Sequence, residues 1–476
     1  MLELMEPTRW RRLSRLQIRL TKMTLLLSDV LAFSLAGALA AVSVYAFSEV
    51  GDEQWLMSQD LQRYWAWLVV VAIGIGSFLV RFGHYSERKP FWTELGEVLW
   101  VLLMLALLDL AIVGMTRWNS SRMWWFITWS LVALCVPLMR GMFREGMRHM
   151  LVWQRPTLLV GNGPNAKDAM RALQSEPALG FEVLASVDVY TALQEDAKFL
   201  RQYAEIPGVQ FLLALESGQN DLREIVLRKL SQLQAQDVSV IPAMRGVPLF
   251  GTDISYFFSY EVALLKLRNN LSYWPARLVK RMVDLIAASI LVVLLALPFA
   301  LMVWLIRRDG GPAIFTHMRV GRLGKLFPCY KFRTMRVDAE EQLQLYLASD
   351  SALRNEWQRE FKLRNDPRIT RIGRFLRRTS LDELPQLINV IRGDMSLVGP
   401  RPVIEAELER YGADVDYFLM VRPGITGLWQ VSGRSDSGYE ARVYLDTWYV
   451  KNWSLWYDIA ILFKTIKVVF GGKGAY

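Results

Sequence analysis

Cysteine and histidine are scarce. The 476 residues hold two cysteines, Cys135 and Cys329, and three scattered histidines, His84, His149 and His317. No CxxC or Cys/His spacing can be drawn through them, which argues against a disulfide framework and against zinc. No histidine stands in a visible catalytic triad. Charge is also sparse, 21% against 53% hydrophobic residues, and it is lopsided, with 56 Lys and Arg against 46 Asp and Glu. A surplus of +10 can indicate nucleic acid, but in a chain this apolar, with 18 tryptophans, it reads as loops facing anionic lipid.

The apolar residues are gathered in blocks. Four runs, about 24–47, 64–82, 95–115 and 123–142, each approach the ~20 residues that cross a bilayer as a helix. Arg9, Arg11, Arg12, Arg15, Arg19 and Lys22 precede the first run, and no small-residue cleavage site follows it, so it reads as an anchor. The next loop carries Glu49, Asp52, Glu53 and Asp60, the one after it Arg81, Arg88 and Lys89, and the fourth run exits into Arg140, Arg144 and Arg148. This alternation puts the N-terminus and everything beyond 143 in the cytoplasm, with Arg117 and Arg122 a mild exception. Asp109 lies inside a run, but such residues are too few for a transporter.

From residue 156 the texture becomes soluble α/β. Strands are expected at "TLLV", "FEVLASVD", "VQFLLAL" and "VSVIPAM", with helices over 165–175 and in "DLREIVLRKLSQLQAQ". That alternation predicts a small parallel sheet. Gly161, Gly163 and Ala166 fit G-x-G-x-x-A, with Asp188 where a ribose-binding acid would fall. Pro164 removes one N–H from that turn, and a structural or regulatory Rossmann-like module accounts for it equally well.

A fifth apolar run, 282–306, has Arg277, Lys280 and Arg281 before it and Arg307 and Arg308 after it. Positive charge on both sides disfavours a simple crossing. Pro298 predicts a kink within the run, so a helix that enters, bends and returns to the same face satisfies both facts. A plain fifth crossing is the alternative. Farther on, "DPRITRIGRFLRR" spaces Arg368, Arg371, Arg374 and Arg378 by threes and fours beside Ile369, Ile372, Phe375 and Leu376. This is the pattern of a cationic helix in the headgroup region, or of a solvated basic face.

Then comes "TSLDEL". Ser380 followed three residues later by Glu383 reads as a capping box opening a helix toward Arg392. Asp382 and Glu383 thus have a purely structural explanation at a helix start. The same position, with arginines nearby, predicts a lowered Asp382 pKa and an ionised carboxylate able to attack phosphorus. Two adjacent carboxylates beside phosphate-binding arginines also suit Mg²⁺.

"KFRTM" (331–335), "RRTSLDELPQLINVIRGDMSLVGPRP" (377–402) and "RPGITGLWQVSGR" (422–434) resemble the signature blocks of bacterial sugar transferases acting on polyprenyl phosphates. The likeness covers about 272–476, and the long N-terminal extension resembles the large branch of that family. It implies a monotopic membrane enzyme with a re-entrant helix at about 282–306. Hexose-1-phosphate would pass from a UDP-hexose to undecaprenyl phosphate at the cytoplasmic face of the inner membrane, as a first step of O-antigen or other surface polysaccharide synthesis. Asp382 would be the nucleophile and Glu383 would help hold Mg²⁺. Arg401, between Pro400 and Pro402, would bind the nucleotide diphosphate, with Arg333, Arg377 and Arg434 as further candidates for the anionic pocket.

The expected fold is therefore a membrane protein of mixed α and α/β class. It comprises a four-helix transmembrane bundle (1–145), a Rossmann-like parallel-sheet domain (146–265) and an α-rich monotopic transferase domain (266–476). Galactose is the expected hexose, with glucose the alternative, and membrane lipids and a second copy of the chain are the expected partners. A membrane-anchored Rossmann oxidoreductase and a non-catalytic envelope scaffold are the competing classes.

Overall fold

The computed structural model describes residues 14–47, 61–116, 122–150, 152–235, 237–244, 247, 253–256, 263–266, 274–308, 310–339, 341–343, 366, 368–432 and 438–471. The chain divides into two compact units, Met1–Arg245 and Gly246–Tyr476.

The first unit opens with helices α1 (Ser14–Phe47), α2 (Leu61–Gly76), α3 (Phe91–Thr116) and α4 (Arg122–His149). Three contain spans long and apolar enough to cross a membrane, Arg19–Ser43, Phe91–Thr116 and Arg122–His149. The second of the four expected runs, Trp65–Arg81, is a shorter apolar helix, closed by a π-helical turn over Ser77–Arg81. Side chains such as Phe33, Val70, Phe78, Leu105 and Val132 fill the interior, while Met23, Leu27, Trp100 and Leu134 point outward, as apolar solvent requires. Gly74 brings α2 against α3, since a Cβ there would stand 2.7 Å from Leu105 Cδ1.

Charge is buried in this cluster, and it is paired. Arg140 donates to Asp29 through Nε at 2.7 Å and Nη2 at 2.6 Å, and the Tyr85 hydroxyl donates to Asp29 at 2.6 Å. Glu94 accepts from Arg140 at 2.9 Å and from Arg144 at 2.5 Å. Asp109 is fully buried and accepts from the Trp129 indole at 3.0 Å, a clasp between α3 and α4.

Strand β1 (Arg155–Val160) begins the α/β portion, followed by α5 (Pro164–Ser175), β2 (Phe181–Val187), α6 (Val189–Ala204), β3 (Gln210–Leu213), α7 (Asn220–Gln232) and β4 (Asp237–Val240). All pairings are parallel in the order β2-β1-β3-β4, with Leu159 opposite Ser186 on one side and Leu212 on the other. The sheet agrees with the expected strands. Helix α6 supplies a crossover that the sequence pattern left unassigned, its periodicity interrupted by non-helical residues 194–197.

The second unit starts with an antiparallel pair, β5 (Asp253–Tyr256) and β6 (Ala263–Lys266). Helices α8 (Trp274–Leu294) and α9 (Ala296–Arg307) follow and meet at a 62° bend. The break falls at Leu295, three residues before Pro298, because a proline ring crowds the carbonyl four residues back and cannot donate to it. The N-terminal half of α8 is bolted to the rest of the unit. Buried Asp284 accepts from Ser396 Oγ at 2.8 Å and Leu397 N at 3.1 Å, Lys280 donates to Asp458 at 2.6 Å, and Arg281 donates to the carbonyls of Val390 and Ile391. Beyond these anchors Val293, Leu294, Leu297 and Trp304 are exposed, an apolar elbow that none of the described residues buries.

The rest of the unit consists of the hairpin β7 (Ile314–Val320) and β8 (Leu326–Phe332), then α10 (Arg371–Thr379), α11 (Gln386–Arg392), β9 (Ser396–Val398), α12 (Glu405–Leu408), α13 (Val415–Met420), β10 (Gly424–Thr426), α14 (Leu428–Val431), α15 (Tyr439–Lys451) and α16 (Leu455–Gly471). β9 and β10 pair in parallel. Gly399 and Gly424 make their junction possible, because a Cβ on Gly424 would lie 2.1 Å from the Gly399 nitrogen.

Candidate active site

Helix α10 leads into the paired acids. Thr370 caps it by accepting from Gly373 N at 2.9 Å, and Gly373 must be glycine because a Cβ would meet the Thr334 carbonyl at 2.0 Å. Arg368, expected on the cationic face of this helix, lies before it. It is buried and makes two side-chain bonds to Asp366, at 2.8 and 2.7 Å, so the exposed stripe is narrower than its spacing implied. Phe375 is exposed while Leu376 is fully buried, which splits the apolar residues between two sides of the helix.

The helix ends at Ser380, and here the expected capping box fails. Ser380 has φ +56° and closes α10 in the left-handed region, with no side-chain cap bond. Leu381–Glu383 forms one tight 3₁₀ turn, and the helix toward Arg392 starts only at Gln386, after Pro385. Its missing N–H and fixed φ make proline a natural last residue before a helix. Glu383 instead pairs with Lys331 of β8, Nζ to Oε1 at 2.7 Å. A non-glycine residue held left-handed is sterically costly, and it turns the chain so that both acids precede α11.

The electrostatics of Asp382 also differ from expectation. Burial pushes its carboxyl above the ordinary range and the neighbouring Glu383 charge adds to that, while Lys331 and Arg377 pull the other way. Desolvation outweighs the cations, and the helix dipole that was expected to help belongs to a helix starting four residues later.

A narrow cavity of about 20 Å³ collects Lys331, Glu383, Gln386, Arg319, Arg401 and Pro402. Glu383, Arg401 and Pro402, far apart in sequence, are thus brought together. Pro400 shapes the turn from behind, its carbonyl accepting from Gly424 N at 2.8 Å. Arg377 donates to Thr334 Oγ1 at 3.0 Å and is an electrostatic neighbour of Asp382. Arg333 turns away toward α9, where it donates to the Ile306 carbonyl at 3.2 Å and packs over Gly311. Arg434 lies outside the described residues.

Several contributors carried no sequence signal of their own. Lys331 sits inside the KFRTM block, yet only the fold of β8 pairs it with Glu383. Arg442 of α15 donates to the Arg401 carbonyl at 3.4 Å and to Glu407 at 3.3 Å, and Arg319 pairs with the other oxygen of Glu407 at 3.6 Å. Behind them Asp446 accepts from the Tyr411 hydroxyl at 2.8 Å, and burial raises its carboxyl to about 6. This buried layer supports the Arg401 turn.

Asp382 and Glu383 are hard oxygen donors, and among the described residues no group of three His, Cys, Asp or Glu side chains gathers as a cage. Mg²⁺ is commonly held by one or two carboxylates, its other positions left to water and substrate phosphates, so the donor type suits it, but Glu383 is engaged by Lys331 and is the one acid of the two that lines the cavity.

The Rossmann-like glycine turn is arranged differently. Gly161 is required by close backbone approach, since a Cβ would lie 2.4 Å from the Ala214 carbonyl. The N-terminus of α5 is met by the chain's own carboxylate: Glu216 Oε1 accepts from Asn165 N at 2.7 Å and stands 2.5 Å from a Cβ built on Gly163. Asp188 caps α6 by accepting from Tyr190 N at 3.0 Å. Both residue types that the dinucleotide pattern relies on therefore have structural duties here.

Residues 275–472 match the family model described as bacterial sugar transferase. The chain is 45% identical over 469 residues to the undecaprenyl-phosphate galactose phosphotransferase of Salmonella typhimurium, covering 96% of this chain and 98% of that protein. It is 46% identical, with the same coverage, to the UDP-galactose-lipid carrier transferase of Erwinia amylovora. An exopolysaccharide production protein of Rhizobium meliloti is 48% identical over 198 residues, which are 41% of this chain but 88% of that protein. Full-length similarity and matching signature blocks, carried on a turn that sets two acids among lysine and arginine, lead to one conclusion: the chain is a sugar-phosphate transferase and belongs to the bacterial sugar transferase family.

Proposed function

We propose that this enzyme transfers galactose-1-phosphate from UDP-galactose to undecaprenyl phosphate, at the cytoplasmic face of the bacterial inner membrane. The observation that carries this reading is the Asp382–Glu383 turn, with Glu383 held by Lys331 in a cavity shared with Arg401 and Arg319. Asp382 Oδ attacks the sugar-bearing β-phosphorus, the bond to the bridging oxygen breaks, and UMP departs with that electron pair. A phosphate oxygen of undecaprenyl phosphate then attacks the same phosphorus and frees the aspartate. Lys331, Arg401 and Arg319 offset the charge of two phosphate substrates, and desolvation leaves the ionised Asp382 less shielded as a nucleophile. Bound Mg²⁺ would supply further charge neutralisation on the diphosphate.

The bent α8–α9 pair, basic at both ends and apolar at its elbow, is read as a re-entrant helix seated in one leaflet. The shorter α2 is read as the fourth crossing of the N-terminal helices. The names of the full-length relatives support galactose, and the N-terminal unit is assigned to assembly, self-association being its simplest form. Purified protein given undecaprenyl phosphate, Mg²⁺ and a panel of UDP-sugars should release UMP most rapidly with UDP-galactose. Asp382→Asn should lower that rate at least about 10³-fold, a loss typical of removing a nucleophile, while leaving the fold intact. Wild-type turnover in the variant would rule out the covalent route.

A further inference from the structure

The first unit holds a second basic cavity, of about 270 Å³, between the membrane helices and the sheet. Lys22 of α1, Ser86 and Arg88 of the α2–α3 loop, and Gln154 and Arg155 at the start of β1 line it. Asp237, at the start of β4, lies on the same wall. The cavity therefore sits at the N-terminal edge of the parallel sheet, opposite the glycine turn where Glu216 already occupies the helix end.

Positive charge here is under-compensated. Asp237 is engaged by Arg155 in an ion pair. Glu87 also lines the cavity, but its carboxyl folds against Gly83, and among the described residues no carboxylate forms an ion pair with Lys22 or Arg88. Arg88 lies 3.4 Å over the Trp153 ring and donates Nη2 to the Trp153 carbonyl at 3.1 Å. Its Nη1 is buried with no hydrogen-bond partner. Burial, then repulsion from Arg155 and Arg144, drops the Arg88 pKa to about 9, although Glu94 opposes this. A desolvated guanidinium with an orphaned donor, beside a second cation and a hydroxyl, is matched by an anion with several acceptor oxygens.

We propose that this cavity is a phosphate-binding site, separate from the transferase centre, that takes the phosphate of a lipid headgroup or of a small soluble phosphate compound. Its place beside the first membrane helix makes both sources accessible. An occupied site would join α1, the α2–α3 loop and the sheet through one anion.

The test is hydrogen–deuterium exchange on the full chain in maltoside micelles, which carry no phosphate. Peptides covering 82–90 and 152–157 are read in micelles alone, in micelles with added inorganic phosphate, and in mixed micelles containing phosphatidylglycerol. With a probe at about ten times its Kd, exchange through opened states should slow about tenfold in these peptides. Slowing by inorganic phosphate identifies a soluble ligand, and slowing only by phosphatidylglycerol identifies a headgroup. Arg88→Gln should remove the response. Because Arg88 also braces Trp153, the exposed Ser86→Glu serves as a second variant. Its own carboxylate should slow basal exchange and leave nothing further for either probe to add. Peptides around 328–333 and 380–402 report phosphate at the transferase centre separately. No slowing with either probe, or slowing that persists in both variants, would overturn the proposal.

Discussion

Asp382 and Glu383 are neighbours in sequence but stand in different surroundings. Glu383 is pinned by Lys331, whereas burial and the Glu383 charge both disfavour ionisation of Asp382. An ionised nucleophile with a raised pKa loses activity as pH falls through that value, so the acid limb of kcat/KM should lie above the ordinary carboxylate range. Lys331→Met removes a cation that favours the ionised form and should move this limb to higher pH. Glu383→Gln removes the repulsion and should move it to lower pH in whatever activity remains. Rates of UMP release across pH decide both, and limbs that coincide in all three proteins would show that Asp382 ionisation does not govern the rate.

Among the elements, the bent α8–α9 pair shows how polar and apolar demands are divided along one helix. Asp284 serves a buried hydroxyl and a backbone amide, while the elbow beyond it presents Val293, Leu294 and Leu297. Asp284→Ala should cost about 1–3 kcal/mol for the Leu397 amide left buried and unpaired, since the Ser396 hydroxyl can donate to the Val398 carbonyl instead. That is a fall in Tm of roughly 2–4 °C per kcal/mol in a unit of this size, measured by thermal unfolding in detergent. Pro298→Leu restores a donor and removes the ring clash, so it should straighten the pair and impair turnover. In a background with both native cysteines replaced, single cysteines at Leu278 and Arg308 should both label from the cytoplasmic side. Labelling of the second from outside only would mark a true crossing.

For the whole molecule, the proposed chemistry falls entirely within the second unit, and the matched 198 residues make up most of the Rhizobium meliloti relative. A chain beginning near residue 265 should therefore keep UMP release, with lower stability and altered oligomer size. Activity assays and light scattering on both lengths test this. A shortened protein that folds and binds UDP-sugar without turning over would show that the first 264 residues take part in the chemistry.

Periodicity and block composition determined the apolar N-terminal helices, the parallel sheet and the apolar pair around Pro298, because each depends on a short repeating pattern of buried and exposed positions. The signature blocks likewise marked Asp382, Glu383 and Arg401. What tertiary structure alone decided is how those residues are partnered. Ser380 lost its expected cap to a left-handed turn, Glu383 went to Lys331 across 52 residues, and Arg368 was withdrawn into a pair with Asp366. Asp382 acquired a raised rather than lowered pKa through burial. Capping rules and dipoles act over one helical turn and can be read locally. Desolvation and ion pairing are set by segments distant in the chain, and they exist only once it has folded.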